Sequence, residues 1–234
     1  MLKTILPRPL LRWARKIYPL LVDIYSVQSY AQEGEDMILS RLFEGRDVGF
    51  YVDVGAHHPK RFSNTYLFYK MGWHGINIDA MPGSMALFKR WRSRDINLEV
   101  AVAKEKQTLN FFMFNDHALN SFDEDLSRQR NNGPYHIVQE RLLQTSSLSE
   151  ILNEHLPCEQ KIDFLSVDVE GRDLDVLQSN DWERFRPRCV LVECLGANLK
   201  AIQENVIYQF LREKHYDFFA KTVNTLIFCV ESHD

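Results

Sequence analysis

The sequence lacks a long apolar run, and this absence excludes several classes of protein. No stretch approaches the ~18–20 consecutive apolar residues that cross a membrane as a helix. The first residues also lack the uninterrupted apolar core of a secretion signal. The four cysteines include no C-x-x-C pair, so we expect free thiols and a cytoplasmic location.

An excess of basic residues is also missing. The net charge is −4 and the pI is about 6.1, whereas nucleic-acid binding depends heavily on neutralising phosphates. Nucleic acid is therefore not a predicted partner. With 234 residues, 45% of them hydrophobic, the chain can bury one substantial core. We predict one domain over residues 29–234, preceded by an extension over residues 1–28.

Acidic residues are absent from residues 1–22, which carry basic and apolar residues instead. Arg8, Arg12, Arg15 and Lys16 follow the spacing i, i+4, i+7, i+8, so a helix would gather them on one face. Such a helix could lie on the anionic lipid of the inner membrane face, which would make residues 1–22 a peripheral membrane contact. The interpretation that we favour is a helix that packs on its own domain with a solvated basic face.

Strand-like and helix-like runs alternate after the extension, which predicts an α/β fold with a mostly parallel sheet and helices on both faces. Strands are predicted at residues 50–54, 75–79, 97–102, 163–167, 189–193, 216–220 and 225–230. Helices are predicted at residues 32–43, 64–71, 83–92, 147–155, 173–178 and 199–214. Too few residues separate the last two strands for a crossover, so they should form an antiparallel hairpin. This arrangement resembles the Rossmann-like sheet of class I methyltransferases.

Residues 108–145 do not fit the alternation. The run "LNFFMF" indicates an added strand, and a polar, weakly periodic segment follows it. Insertions of this kind are often lids or binding loops. We expect this one to hold an acceptor through the side chains of Asn115, His117, Asn120 and Ser121.

The stretch "YVDVGAHHP" at residues 51–59 ends the first predicted strand at the edge where α/β sheets bind ligands. A dinucleotide fingerprint would need glycine where His57 stands, and a third glycine is also absent. This argues against a nicotinamide-dependent reductase. The sulfonium cofactor S-adenosylmethionine has no phosphate and suits the loop better. A metal site at His57 and His58 is disfavoured, because adjacent side chains point apart and no further His or Cys ligand lies nearby.

The stretch "INIDAMP" places Asp79 at the end of the next strand. An acid there can accept hydrogen bonds from both hydroxyls of a ribose. Ala80 and Met81 could then border the adenine. The alternative for Asp79 is an exposed turn residue.

These motifs together resemble the FkbM-type S-adenosylmethionine-dependent methyltransferases. The resemblance runs from "YAQEGEDMIL" through "FYVDVGAHHPKRFSNT", "GWHGINIDAMP", "NLEVAVAKEKQTLNFF" and "TSSLSEIL" to "IDFLSVDVEGRDLDVL". It implies methyl transfer to an oxygen, commonly a hydroxyl of a sugar or another natural product. The cofactor site that it implies consists of Gln32, Asp36, Asp53, Gly55, Ala56, His57, Asp79, Ala80 and Ala101. For Asp36, a helix-capping role is the alternative.

Three carboxylates should converge at the mouth of the sheet. Asp168 and Glu170 follow the strand that ends in "LSVDVEG", and Glu193 ends the next strand, "VLVEC". A hydroxyl acceptor needs a general base, which a carboxylate kept partly protonated by its neighbours could provide. The same three oxygens could instead bind a divalent metal such as Mg²⁺, Mn²⁺ or Ca²⁺. His57 or His58 is an alternative base.

We therefore expect an S-adenosylmethionine-dependent O-methyltransferase that acts on a sugar, glycan or glycolipid. If the basic extension touches the inner leaflet, a lipid-linked precursor of a surface polysaccharide is a natural acceptor. The alternative from another class is a non-catalytic glycan-binding or scaffold module that keeps the same fold.

Overall fold

A computed structural model describes residues 26–195 and 199–231. The segment at residues 1–22, predicted to be an amphipathic helix, lies outside the described residues.

Strands and helices alternate along the described chain. The strands are β1 (Phe50–Val54), β2 (His74–Asp79), β3 (Ile96–Glu99), β4 (Ala101–Val102), β5 (Thr108–Phe114), β6 (Ile137–Ser146), β7 (Phe164–Val167), β8 (Cys189–Glu193), β9 (Tyr216–Lys221) and β10 (Thr225–Val230). The helices are α1 (Glu35–Leu42), α2 (Tyr66–Met71), α3 (Met85–Trp91), α4 (Glu124–Arg130), α5 (Leu148–His155), α6 (Asp173–Gln178), α7 (Leu199–Gln203) and α8 (Val206–Glu213).

The main sheet has the strand order β3-β2-β1-β7-β8-β10-β9. Strands β1, β2, β3, β7 and β8 are parallel, and β10 runs antiparallel to both β8 and β9. This is the Rossmann-like sheet of class I methyltransferases, so the predicted fold, including the antiparallel hairpin, is confirmed. The strand order reverses between β1 and β7, which opens a crevice beyond their carboxyl ends.

Both faces of the sheet are buried, because side chains of a strand point alternately to its two sides. Phe50, Val52 and Val54 of β1 belong to a core that also contains residues of α5, α6 and α8. Tyr51, between them, belongs to a second core with residues of α1 and α2. Helices therefore cover both faces, as predicted.

Two predicted elements are corrected by the structure. The strand predicted at residues 97–102 is divided, because β3 pairs with β2 whereas β4 pairs with β6 in a different sheet. The helix predicted at residues 199–214 is two helices. The side chain of Asn205 accepts a hydrogen bond from the backbone N–H of Ile207 and starts a new helix there.

The insertion forms a second sheet with the order β4-β6-β5. Strand β5 includes the predicted "LNFFMF" run. Strand β6, which pairs antiparallel with it, was not predicted. Most residues of β6 are exposed, so its sequence carries little of the alternation that marks a half-buried strand.

In the described part of the chain, no helix has both the length and the apolar character needed to cross a membrane. All four cysteines are free thiols, as expected.

Candidate functional site

A cleft opens at the carboxyl ends of β1, β2 and β7, where α/β sheets bind ligands. It encloses about 810 Å³ of space between protein atoms, part of it open to solvent. Its walls come from the strand-end loops, the segment before α1 and the insertion. The lining residues are Gln32, Val54, Gly55, His57, Phe62, Ile78, Asp79, Ala80, Met81, Val100, Phe111, His117, Ala118, Asn120, Phe122, Asp168, Val169 and Glu170.

Asp79 joins the loops after β1 and β2. One carboxylate oxygen accepts a hydrogen bond from the backbone N–H of His57 at 2.9 Å, and the other accepts one from the N–H of Met81 at 2.8 Å. A carboxylate has about four acceptor positions, so each oxygen keeps one for a ligand. Burial raises the pKa of Asp79. The side chain both shapes the cleft and stays available to hydroxyl groups inside it.

Gly55 allows the β1 loop to approach the loop after β7. Its φ is +85°, and a Cβ atom there would lie 1.6 Å from the backbone oxygen of Asp168. No other residue type fits without moving one of the two loops.

His57 stands where a dinucleotide fingerprint has its second glycine, and its φ of +51° is left-handed like that of a glycine. Its imidazole therefore occupies part of the cleft that a diphosphate would need to approach the backbone. Burial and the neighbouring His58 and Arg61 lower the pKa of His57, which favours the neutral ring.

Asp168, Glu170 and Glu193 come together at one end of the cleft. Each offers a carboxylate oxygen, and these oxygens lie within 4.8 Å of one another. Burial raises the pKa of Glu193 to about 8, with further contributions from Glu170 and Asp173. Asp168 is exposed to the cleft. Its pKa is nevertheless raised well above the usual range, first by desolvation among the surrounding protein atoms and second by the charge of Glu193. The predicted convergence therefore exists, and the cluster favours holding a proton.

Glu170 has a cationic partner within the protein. Arg130 of α4 donates a hydrogen bond to it at 2.5 Å, and the guanidinium opposes the rise that burial causes in the Glu170 pKa. The φ of Glu170 is +55°, and its backbone oxygen accepts a hydrogen bond from Ser121 at 2.6 Å. The insertion thus fixes the loop that carries two of the three acids.

A second cavity lies on the other side of this cluster, and Glu193 lines it. The other lining residues are Asp123, Leu126, Gly171, Arg172, Asp173, Leu174, Asp175, Cys194, Leu195, Asn205, Val206 and Ile207. The carboxylate cluster consequently lies between two spaces, with Asp168 and Glu170 facing the first and Glu193 facing the second.

Asp53, predicted to contact the cofactor, lies behind the cleft wall. Its carboxylate accepts a hydrogen bond from Thr65 at 3.0 Å, and Thr65 accepts one from Arg92 at 3.0 Å. Arg92 is buried, pairs with Asp95 at 2.8 Å and donates to the backbone oxygen of Pro59 at 3.1 Å. Burial raises the pKa of Asp53 to about 6. Its contacts support the β1 loop from below.

Ala56 and Ala101 also lie outside the lining of the cleft. Ala56 packs with Met85 and Phe88. Ala101 is buried in the core of the second sheet, and Val100 forms the wall instead. The division of the predicted third strand explains this shift by one residue.

Gln32 and Asp36, both predicted to contact the cofactor, have different surroundings in the structure. Gln32 lines the cleft, as expected of a cofactor contact. Asp36 does not, because its carboxylate accepts hydrogen bonds from the Ser29 hydroxyl at 2.6 Å and from the backbone N–H of Tyr30 at 2.7 Å. It orders the chain before α1.

His58, predicted as a candidate base, is engaged elsewhere. Its Nδ1 accepts hydrogen bonds from the backbone N–H groups of Lys60 and Arg61, both at 3.0 Å. Nδ1 therefore has no free lone pair for a substrate proton, and in the neutral ring the other nitrogen carries the hydrogen. Since His58 is also outside the lining of the cleft, its structural role is to order this loop.

The insertion closes over the first cleft. Of the residues predicted to hold an acceptor, His117 and Asn120 line it, whereas Asn115 donates to the backbone oxygen of Pro134 and Ser121 donates to that of Glu170. Sequence reasoning missed the aromatic wall formed by Phe111 and Phe122. The alternation within "LNFFMF" was the available signal for Phe111.

The charge of the cleft distinguishes between ligands. Its lining contains the acids Asp79, Asp168 and Glu170 but no Lys or Arg among the described residues. A diphosphate would meet only negative charge, whereas a cationic ligand would be attracted. The apolar wall of Met81, Val100, Phe111 and Phe122 lines the same cleft as Asp79 and suits a flat aromatic base. These residues fit a positively charged nucleoside.

Comparison with known proteins identifies the family of the chain. A family model described as the methyltransferase FkbM domain matches residues 53–218. None of the curated proteins compared with the chain matches it. Among solved structures, a TehB-like SAM-dependent methyltransferase from Corynebacterium glutamicum is similar with a TM-score of 0.40 and 11% identity, over 95% of this chain and 96% of that chain.

Proposed function

The chain belongs to the FkbM methyltransferase family, and on that premise we propose that it methylates a hydroxyl group of a sugar, glycan or glycolipid with S-adenosylmethionine. The observation that carries this proposal is the first cleft, whose lining has three acids, an aromatic wall and, among the described residues, no Lys or Arg. S-adenosylmethionine supplies a methyl group on a positively charged sulfur, which becomes a neutral thioether after transfer.

Binding is supported by features that suit each part of this molecule. The two free acceptor positions of Asp79 suit the ribose hydroxyls. Gln32, which also lines the cleft, offers an amide to the polar amino-acid end of the cofactor. The negative potential of the cleft favours the cationic donor over its neutral product, which assists release.

The carboxylate cluster is the proposed general base. A hydroxyl group is a weak acid, so its proton must be removed as its oxygen attacks the methyl carbon. The acceptor oxygen would lose its proton to an oxygen of Asp168 or Glu193 while the new O–C bond forms. Because like charges lie so close, the cluster gains stability when it takes up one proton.

The acceptor enters, in this proposal, from the second cavity. Glu193 connects that cavity with the cluster, and the lining beside it is polar, with Asp123, Asp173 and Asn205 among its residues. Among the described residues of this lining, the acids outnumber the one cation, Arg172, which is already paired with Asp175 at 3.0 Å. Such a lining favours a neutral hydroxyl-rich acceptor over one that is charged negatively near the methylated position.

A divalent metal held by the same three carboxylates is the alternative to a base. Arg130 argues against it, because its guanidinium already compensates the charge of Glu170 at the distance of a strong hydrogen bond. We therefore expect methyl transfer to continue in the presence of a chelator such as EDTA.

Incubation with radiolabelled S-adenosylmethionine and fractionated glycans or lipid-linked sugars tests the function. The wild-type protein should label a saccharide fraction in a bond that survives mild base, as an ether does and an ester does not. Glu193→Gln should lower the rate at least about tenfold, within the range of a lost general base. The exposed Glu183→Gln is the matched control and should behave as wild type. A protein that binds the cofactor but labels nothing would favour the non-catalytic module.

A further inference from the structure

Basic residues are concentrated in one part of this otherwise acidic chain. Residues 59–94 contain seven Lys and Arg residues and a single acid, Asp79, which faces the cleft. One of the seven, Arg92, is buried. The other six lie at the surface. Asp79 lines the cleft, and residues 59–94 contain no other acid that could neutralise them.

Aromatic contacts connect four of these six cations into one surface. The amine of Lys60 lies 3.4 Å from the centre of the Trp91 ring and 5.7 Å from that of Tyr66. The Arg90 guanidinium lies 5.5 Å from the same Trp91 ring. Trp91 itself is 47% exposed, which is unusual for so large an apolar side chain.

The surface continues on both sides of Tyr66. The ring of Tyr66 stacks on Tyr69 at 6.4 Å, and the Arg94 guanidinium lies 4.0 Å from Tyr69. On the other side Tyr66 meets Tyr30 edge-on at 4.8 Å, and the Tyr30 hydroxyl accepts a hydrogen bond from Lys70 at 2.6 Å. We call this set the cation–aromatic face: Tyr30, Lys60, Tyr66, Tyr69, Lys70, Arg90, Trp91 and Arg94.

The cations of this face are not neutralised within the described structure. Ion pairs within 4.0 Å involve other basic residues, such as Arg128 and Arg130, but none of Lys60, Lys70, Arg90 or Arg94. Their positive charge is therefore available to something outside the domain.

The extension joins the domain at the same face. The described chain starts at residue 26, and Tyr30, four positions later, is already part of the face. Residues 1–25 add five basic residues and only one acid, Asp23, together with apolar residues such as Leu10 and Trp13. The described chain thus begins next to the face, and the sequence that precedes it is basic and apolar.

We propose that the cation–aromatic face docks on an anionic phospholipid surface. Lys and Arg near such a surface are attracted by its negative potential, and Trp and Tyr rings favour the level of the lipid headgroups. Nucleic acid is the other polyanion that such a face could bind. The apolar residues of the extension favour lipid, because they match an amphipathic segment lying in a membrane interface.

Docking would also orient the first cleft. Phe62 lines the cleft, is 41% exposed and lies under the guanidinium of Arg61 at 4.3 Å, so one rim of the cleft adjoins the basic segment. If the proposed function holds, a membrane-bound glycolipid or lipid-linked saccharide is the acceptor class that this orientation favours. The docking itself does not depend on that function.

Co-sedimentation of the full chain with vesicles tests the proposal. The wild-type protein should bind vesicles that contain phosphatidylserine, should not bind vesicles of phosphatidylcholine alone, and should be released by salt. The triple variant Lys60→Glu, Arg90→Glu and Arg94→Glu should bind at least roughly 100-fold more weakly, since losing each cation near the surface costs a factor of about five and the new carboxylates add repulsion. The matched control is Lys104→Glu, Lys106→Glu and Lys161→Glu, which reverses three exposed cations outside the face.

Several outcomes would overturn the proposal. They are unchanged binding of the triple variant, an equal loss in the control variant, and binding that is lost only when the cations of residues 1–22 are replaced. Tighter binding of a single-stranded DNA oligonucleotide than of anionic vesicles would assign the face to nucleic acid instead. Calorimetry with S-adenosylmethionine on the triple variant separates the two proposals, because cofactor binding should remain while vesicle binding is lost.

Discussion

Asp79 at the end of β2 accepts a hydrogen bond from the backbone N–H of His57, two residues past Gly55 in the β1 loop, at 2.9 Å. The residue expected to hold the ribose therefore also sets the shape of the neighbouring loop. We therefore expect a change at this one carboxylate to disturb both ligand binding and loop order.

Replacing Asp79 by Asn should weaken cofactor binding strongly. An amide offers one oxygen where the carboxylate offers two, so it cannot satisfy both the N–H groups of His57 and Met81 and the ligand hydroxyls. A lost hydrogen bond to a charged group costs about 2 kcal/mol, or roughly a 30-fold increase in Kd. Isothermal titration calorimetry with S-adenosylmethionine measures this. Asp47→Asn, an exposed acid before β1, is the control, and equal Kd values for the two variants would contradict the role of Asp79.

Replacing Gly55 by Ala should damage the site more than the same change at Gly83. Both glycines have a φ of +85°, but a Cβ at Gly83 meets no atom within 4 Å. Gly83→Ala should therefore lower the free energy of unfolding only by the cost of holding alanine in the left-handed conformation, about 1–2 kcal/mol. Gly55→Ala adds the collision with the backbone of Asp168, so it should lower the melting temperature further and abolish cofactor binding. Equal thermal shifts would show that the two loops are not in close contact.

The stability of the protein should depend on pH through Glu193. Its pKa rises from the usual 4.5 to about 8 in the folded protein, mainly because of burial. Below about pH 4.5 the group is protonated in both the folded and unfolded states, and no penalty applies. Between about pH 4.5 and 8 only the unfolded chain releases the proton, so the folded state loses stability until the loss is complete above about pH 8.

Thermal melts of wild type and Glu193→Gln across this range measure the effect. The glutamine has no charge to desolvate, so the variant should gain in melting temperature over wild type as the pH rises from 5 to about 8.5. A difference that is the same at every pH would show that Glu193 ionises freely in the folded protein.

Replacing the buried Arg92 by Met should destabilise the whole domain. It would leave Asp95 buried without its charged partner, and breaking a buried ion pair on one side costs about 3–5 kcal/mol. Urea denaturation measures the free energy of unfolding. The neighbouring Arg90→Met removes an exposed cation on the same helix and should change it by less than about 0.5 kcal/mol. A change of similar size in Arg92→Met would show that the hydrogen-bonded network of Asp53, Thr65, Arg92 and Asp95 contributes little to the free energy of unfolding.

The sequence is sufficient to predict the centre of the main sheet because strands β1, β2, β7 and β8 are buried on both faces and form short apolar runs. The β1 loop could be predicted from Gly55, Asp53 and Asp79, whose order along two adjacent strands fixes the position of the cleft. The meeting of Asp168, Glu170 and Glu193 follows from the same reasoning, since parallel neighbours end at one edge.

Other features depend on tertiary contacts that leave no local pattern. Arg92 lies in the run "KRWRSRD", where nothing distinguishes the buried arginine from the exposed ones. Asp53 and Asp79 both end strands, yet only the packing of Thr65 and Arg92 turns Asp53 away from the cleft. Strand β6 is mostly exposed and is defined by its partner β5, so its own sequence could not reveal it.

A crystal structure of the protein with S-adenosylhomocysteine, the product of the donor, tests the proposed cofactor site most directly. The ribose hydroxyls should donate to the carboxylate of Asp79, the adenine should lie against Met81, Val100 and Phe111, and the sulfur should face the cluster of Asp168, Glu170 and Glu193. Density for the ligand elsewhere, or a ribose that does not contact Asp79, would contradict the assignment.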